Sequence, residues 1–296
     1  MLYRLLGASK LSVSAISFGC MSLKDERDAA RVIDHAVEAG INFFDTADLY
    51  EKGLNEEWVG RILRSRREEV LLATKVGNQW RADGSGWDWN PRKDYILRAA
   101  EDSLKRLRTD RIDLYQLHGG TLADDIDETI EAFELLQQQG KIRYYGLSSI
   151  RPNVIREYVE RSRIISVMMQ YSLLDRRPEE NCLELLEAAG IGVLVRGALG
   201  KGLLAGKPAV GYLDHGPDVV RRAAEAVRSV AGMARSSANV AVGYVLSHPA
   251  VASAVVGIGT DGQLEDVLRG GVRGLEDEEM KQLRAVAPAD QYGEFR

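Results

Sequence analysis

Eight short apolar or β-branched runs recur along the chain, and amphipathic helical stretches fill the intervals between them. The runs are Ala15–Gly19, Asn42–Asp45, Leu71–Lys75, Ile112–Leu117, Tyr144–Ser148, Val167–Gln170, Gly192–Arg196 and Ala254–Val256. In "DERDAARVIDHAVEAG", Ala30, Ile33 and Val37 fall near helical spacing and Gly40 is the stop. "PRKDYILRAAEDSLKRLR" has Pro91 at its start, and "DDIDETIEAFELLQQQG" and "PEENCLELLEAAG" close on Gly140 and Gly190; "RPNVIREYVERS" is a further helix. Strands alternating with helices imply parallel strands joined by right-handed crossovers. An open doubly wound sheet in two halves also alternates, but no linker or shift in composition divides the 296 residues. The expectation is therefore an α/β chain folded as one domain, residues 1–296, into a (β/α)8 TIM barrel.

Two stretches depart from the alternation. "YRLLGASKLSVSA" reads as an N-terminal β-hairpin turning at Gly-Ala-Ser-Lys. Between Val195 and Ala254 lie two helical stretches, around Val219–Ala231 and Ser237–Leu246, so an extra helix is expected in the C-terminal part.

Composition removes several classes of function. A net charge of −5, with Lys and Arg scattered among Asp and Glu, offers no basic surface for nucleic acid. No apolar run is long enough to span a bilayer, and "MLYRLLGASK" lacks the extended apolar core of a signal peptide, so the expected location is cytoplasmic. Cys20 and Cys182 make no disulfide framework and, with four histidines, no zinc site; they read as packing residues. His35 and His215 read as surface residues and His248 as a helix end.

In a barrel of this kind, chemistry sits where the strands end. The second strand delivers Asp45, the third Lys75, the fourth His118, the fifth Ser148 and the sixth Gln170, each the first strongly polar group after an apolar run. One such residue is easily a satisfied core contact. Five at equivalent positions point to a shared site. Asp45 and Lys75, from adjacent strands, can pair as carboxylate and ammonium. A lysine cation beside a tyrosine favours the phenolate, and Tyr50 lies one short loop beyond Asp45. A neutral His118 can donate to a carbonyl oxygen and orient it. These groups make a proton donor for a developing alkoxide but hold no reductant, so a cofactor is expected to supply the other half. "NQWRADGSGWDWN", after the Lys75 strand, offers Trp80 and Trp87 as substrate walls. "GIGTDG", from Gly257 to Gly262, opens a helix after the last strand and suits a phosphate.

The blocks "INFFDTADLYEKGLNEEWVGRIL", "VLLATKVG", "SLKRLRTDRIDLYQLHG", "GKIRYYGLSS" and "GALGKGLLAGK" together resemble the aldo-keto reductases, over nearly the whole chain and in the family's order. The likeness extends to the branch that includes channel-associated β subunits. The resemblance implies a barrel that binds an extended nicotinamide cofactor, with a tetrad on Asp45, Tyr50, Lys75 and His118. It implies that Ser148 and Gln170 hold the carboxamide, and that Ser148-Ser149 stands where relatives often have Ser-Asn. It also places Gly19, Met21 and Asp45 against the cofactor, with Arg196, Gly197, Leu199, Lys201 and Gly202 after the seventh strand. Gly257, Gly259, Thr260, Gln263 and Asp266 follow after the eighth. Arg196 occupies a position that usually carries an aromatic residue. Its guanidinium either stacks in that place or reaches a substrate anion or the cofactor pyrophosphate.

The cofactor expected is NADP, with NAD as the alternative. Gly259 and Gln263 stand at positions often basic, Val267 stands where an adenine-contacting Asn is common, and Asp261 and Asp266 oppose a 2′-phosphate by charge. Unless Arg269 or Arg273 folds back, the NADP preference should be modest. The partner expected is a small-molecule carbonyl substrate, reduced by a monomer or small homo-oligomer, with the short tail "ADQYGEFR" giving little surface to close over it. Two rival readings are a cofactor-sensing regulatory subunit with little turnover and a Schiff-base aldolase using Lys75. The aldolase leaves Ser148 and Gln170 without a reason.

Overall fold

The computed structural model describes every residue, Met1–Arg296. The chain opens with an antiparallel hairpin of β1 (Tyr3–Leu5) and β2 (Ser12–Ser14). There follow β3 (Ile16–Gly19), α1 (Glu26–Glu38), β4 (Phe43–Asp45), α2 (Leu54–Leu63) and β5 (Leu71–Val76). A second small hairpin, β6 (Asn78–Trp80) and β7 (Trp87–Trp89), interrupts the alternation before α3 (Lys93–Leu107). Then come β8 (Ile112–Leu117), α4 (Ile126–Gln138), β9 (Ile142–Ser148), α5 (Pro152–Arg161), β10 (Ser166–Gln170), α6 (Cys182–Ala188) and β11 (Gly192–Arg196). Two helices, α7 (Pro217–Ala231) and α8 (Ser237–Leu246), precede β12 (Val251–Gly257), and α9 (Asp261–Leu268) and α10 (Asp277–Arg284) complete the chain. No helix is long and apolar enough to cross a membrane.

Eight strands close a parallel barrel in chain order, β3, β4, β5, β8, β9, β10, β11 and β12, with β12 pairing back onto β3. This is the (β/α)8 TIM barrel expected from the sequence, with its N-terminal hairpin and its additional helix between β11 and β12. The main core lies between strands and helices. A second cluster fills the barrel's interior, where Leu6, Leu11 and Val13 of the hairpin region meet Phe43, Ala73, Leu114, Met168 and Leu194. The hairpin thereby seals the amino-terminal end of the barrel. Its turn passes so close to β10 and β11 that a Cβ on Gly7, at φ +57°, would lie 2.4 Å from the Ile165 carbonyl oxygen.

One local expectation needs correction, that for His215, and two others gain detail. The buried stripe of α1 is Ala29, Val32, Ile33 and Ala36, so Ala30 and Val37 sit at its margins. The Trp-rich stretch is paired, Trp80 opposite Trp87 and Asn78 opposite Trp89, with its turn around Asp83 and Gly84. His215 is buried, with 6% of its surface exposed, because Asp290 of the C-terminal segment comes to it at 3.0 Å.

Candidate active site

Parallel strands bring their carboxyl ends to one rim, so Asp45, Lys75, His118, Ser148, Gln170 and Arg196 share that end of the barrel. Asp45 of β4 is in register with Ala73 of β5, which places Lys75 one pleat further toward the rim. The Lys75 side chain is 1% exposed. Its ammonium donates to Asp45 Oδ2 at 2.6 Å, to the Thr46 carbonyl oxygen at 2.7 Å and to the Tyr50 hydroxyl at 3.3 Å. Burial works against charge on Lys75, but Asp45 and then Tyr50 outweigh it and hold its pKa above the ordinary lysine range. Burial pushes the Asp45 carboxyl up while Lys75 and the Gln116 amide, at 3.1 Å, pull it down. With an ammonium at 2.6 Å, the ionised pair is the form we assign.

Tyr50 is half-buried above this pair, with Lys75 Nζ 5.0 Å from its ring centroid. The chain reverses directly after it through Glu51, Lys52 and Gly53, all at positive φ. Gly53 is required there, since a Cβ at φ +89° would meet the Arg106 side chain at 2.8 Å. The His118 ring stands edge-on to Tyr50, 6.1 Å between centroids at 84°. Burial, then Lys75 and Arg196, push its pKa down to about 3, so the imidazole is neutral near pH 7. Its Nδ1 is buried and has no hydrogen-bond partner.

Behind the Tyr50 loop lies a polar cluster that the sequence reading did not single out. Asp48 is buried, with Oδ1 unpartnered and Oδ2 3.5 Å from the Tyr95 hydroxyl. The neighbouring Glu56 is already engaged by Arg106 at 2.6 Å and Thr74 at 2.6 Å. Burial, and then the Glu56 charge, raise the Asp48 pKa to about 8. "DTADLYEKGLNEE" carries both acids, but only the packing of α2 on α3 shows that Arg106 arrives to pair with Glu56 and leaves Asp48 without an ion-pair partner.

Ser148 closes β9 and is buried. Gln170 closes β10, and its amide is held on both sides. Nε2 donates to Asp175 Oδ2 at 2.7 Å and to the Tyr212 hydroxyl at 3.3 Å, while Oε1 accepts from Arg196 at 2.8 Å. Beyond β11, Gly197 turns under Gln170, where a Cβ would meet its Cγ at 3.2 Å. Gly200, Lys201 and Gly202 follow at positive φ, with Leu199 partly buried against the core. A cavity of about 570 Å³ opens beside Gln170, lined by Lys201, Lys207, Tyr212, Leu203 and Val210 among others. Lys207 ends "GALGKGLLAGK", where nothing in the local pattern separates it from a surface lysine; only the folded loop brings it to the cavity.

At the β12–α9 turn, glycines allow close packing on the segment after β3. A Cβ on Gly257 would lie 2.4 Å from Ser22 Oγ, one on Gly259 3.2 Å from the Ser22 carbonyl oxygen, and one on Gly19 3.2 Å from that of Val256. Met21 is largely exposed there. Thr260 caps α9 by accepting from the Gln263 amide, and Gln263 Oε1 accepts from the Gly259 amide at 2.8 Å. Asp261 is held by Arg31 and His35 of α1, and Asp266 by Arg269. Arg273 pairs with Glu276, so neither Arg269 nor Arg273 is a free cation at this turn. Trp80 donates to the Leu49 carbonyl oxygen at 3.2 Å, beneath Lys52, which joins the β6–β7 hairpin to the Tyr50 loop; Trp87 is exposed across from it.

The donor set fits a nicotinamide dinucleotide. It offers a buried imidazole nitrogen without a partner, a serine and a glutamine amide at successive strand ends, and two lysines lining the adjoining cavity. The Aldo/keto reductase family profile matches residues 15–288. YqkF, an uncharacterized oxidoreductase of Bacillus subtilis (strain 168), is 49% identical over 304 residues, covering 99% of each chain. Among solved structures, the aldo-keto reductase AKR11C1 from Bacillus halodurans in its holo form aligns with a TM-score of 0.93 at 48% identity, covering 100% of this chain and 99% of that one. The glycerol dehydrogenase AKR11B4 from Gluconobacter oxydans aligns with a TM-score of 0.87 at 26% identity, covering 96% and 94%.

Proposed function

Because the chain belongs to the aldo/keto reductase family of oxidoreductases, we propose that it reduces aldehyde or ketone carbonyls to alcohols with NADP(H), Tyr50 acting as the general acid. The observation that carries this reading is the Lys75 ammonium shared between Asp45 and the Tyr50 hydroxyl, beside a neutral His118.

When bound, the reduced nicotinamide supplies a hydride to the carbonyl carbon. Ser148 and Gln170 would hold its carboxamide, and Lys201 and Lys207, which line the cavity beside Gln170, would neutralise the pyrophosphate. His118 donates to the substrate oxygen and orients it. Lys75 uses its protons on three acceptors, one of them the Tyr50 oxygen, which leaves the phenol proton free for the substrate. As that proton moves to the nascent alkoxide, the ammonium stabilises the phenolate left behind, and Asp45 keeps the ammonium in place. Trp80 and Trp87 wall the carbonyl substrate on the side of the Tyr50 loop.

Oxidation of NADPH and NADH across a panel of aldehydes, ketones and sugars tests the reading. Turnover with any carbonyl class supports it. No turnover on the panel, together with stable copurification of a partner protein, would replace it with the cofactor-sensing reading.

A further inference from the structure

The C-terminal segment reaches Gln170 along two separate lines. In the first, Asp290 lies 3.0 Å from His215 Nε2, and His215 and Tyr212 exchange backbone hydrogen bonds at 3.0 Å. Tyr212 in turn accepts from Gln170 Nε2. Leu213, inside that turn, is held at φ +51°, a conformation a leucine keeps only when its surroundings impose it. In the second, the Tyr292 ring lies 5.5 Å from the Arg177 guanidinium. Arg177 grips both oxygens of the fully buried Asp175, at 2.7 and 2.8 Å, and Asp175 accepts from the same Gln170 nitrogen. The segment is itself pinned, since the Tyr292 amide donates to Glu180 and Arg176 donates to the Ala287 carbonyl oxygen.

Both hydrogen bonds of Gln170 Nε2 are therefore fixed by side chains whose outer support is the last eight residues. We propose that Asp290 and Tyr292 are positioning residues for the nicotinamide cofactor, acting through Gln170. This rests on the cofactor reading above. With both Nε2 protons spent on Asp175 and Tyr212, Gln170 meets a carboxamide through Oε1, which accepts from the carboxamide NH2. An amide free to rotate presents the wrong end half of the time, and settling it at the moment of binding costs affinity. Here Arg196 on the oxygen and the two tail-supported acceptors on the nitrogen set the order beforehand.

The test is cofactor affinity, read from tryptophan-fluorescence quenching on titration with NADPH and NADH. Asp290→Ala and Tyr292→Leu are each expected to weaken binding about tenfold, on the scale of one weakened hydrogen bond. Tyr292→Phe, which keeps the ring against Arg177, should bind like the wild type. In a Gln170→Ala background, the two tail substitutions should weaken binding no further, a coupling that a merely structural role does not produce. Unchanged affinity in the tail variants, or equal losses in the Gln170→Ala background, overturns the inference. If a tail variant melts before it can be titrated, His215→Asn removes the first line from the loop side and carries the same two outcomes. Wild-type protein that binds neither cofactor overturns the cofactor reading and this inference together. Wild-type binding with indifferent variants overturns this inference alone.

Discussion

Lys75 donates to the Tyr50 hydroxyl at 3.3 Å while its other protons are taken by Asp45 and the Thr46 carbonyl. A phenol oxygen that accepts from an ammonium turns its own proton outward. Tyr50→Phe keeps the ring and its edge contact with His118 but removes that proton. Carbonyl reduction should fall about 100-fold or more, with cofactor binding retained. Steady-state rates alongside a cofactor titration check this, and near-normal turnover would end the assignment.

Lys75→Met leaves the buried Asp45 carboxylate with only the Gln116 amide. Removing one partner of a buried pair costs about 3–5 kcal/mol. Denaturant melts should show a loss of that order, and turnover should collapse with it. A stable, active variant with an unchanged pH profile would contradict Lys75's role.

His118 and Asp48 should leave opposite marks on stability. The folded pKa of His118 is pushed down to about 3, so the unfolded chain binds the extra proton. Stability is then full above the unfolded value and is lost as pH falls from about 6.5 toward 3, by up to about 1.4 kcal/mol per unit. Melts of His118→Asn should lack this part of the acid sensitivity.

The folded pKa of Asp48 is pushed up to about 8, so here the folded chain holds the extra proton. Stability is full below the unfolded value and declines as pH rises from about 4 to 8, again by up to about 1.4 kcal/mol per unit. Asp48→Asn should flatten that decline and be the more stable protein at pH 8. Urea midpoints at pH 5 and pH 8 decide it, and parallel behaviour of the two proteins would show that Asp48 is ionised when folded.

Cofactor preference should be modest. Arg269 and Arg273 are engaged by Asp266 and Glu276, and the α9 turn holds Asp261 against Arg31. One missing phosphate–guanidinium pair costs about 1.5–3 kcal/mol, or one to two decades of NADP preference. Fluorescence titration should find NADPH favoured only slightly and NADH used measurably. NADH binding tenfold tighter than NADPH would reverse the assignment to NADP(H).

What was legible in the sequence was whatever a local pattern encodes. Asp45, Lys75, His118, Ser148 and Gln170 each interrupt an apolar run at its end, and parallel strands carry such interruptions to one rim without further information. What escaped depends on chain segments meeting from far apart. His215 looked like a surface residue because Asp290, which buries it, is 75 residues away. The acidic pair of Asp48 and Glu56 was visible, but not the arrival of Arg106 from α3. The β6–β7 hairpin was missed because three-residue strands carry too little alternation to separate them from a loop.

The hairpin that seals the barrel's amino-terminal end has a consequence for how such a molecule can change over generations. With Leu6, Leu11 and Val13 filling that end, the polar side chains that close the strands, Asp45, Lys75 and Gln170 among them, stand at the opposite rim. Substitutions in the plug are therefore felt as a lower melting temperature whatever the substrate. Those in the rim loops alter which molecules are admitted, while the plug and barrel core keep the fold intact. A screen for altered substrate range gains nothing from residues 1–14 and should spend its diversity on the loops after β4, β5 and β11.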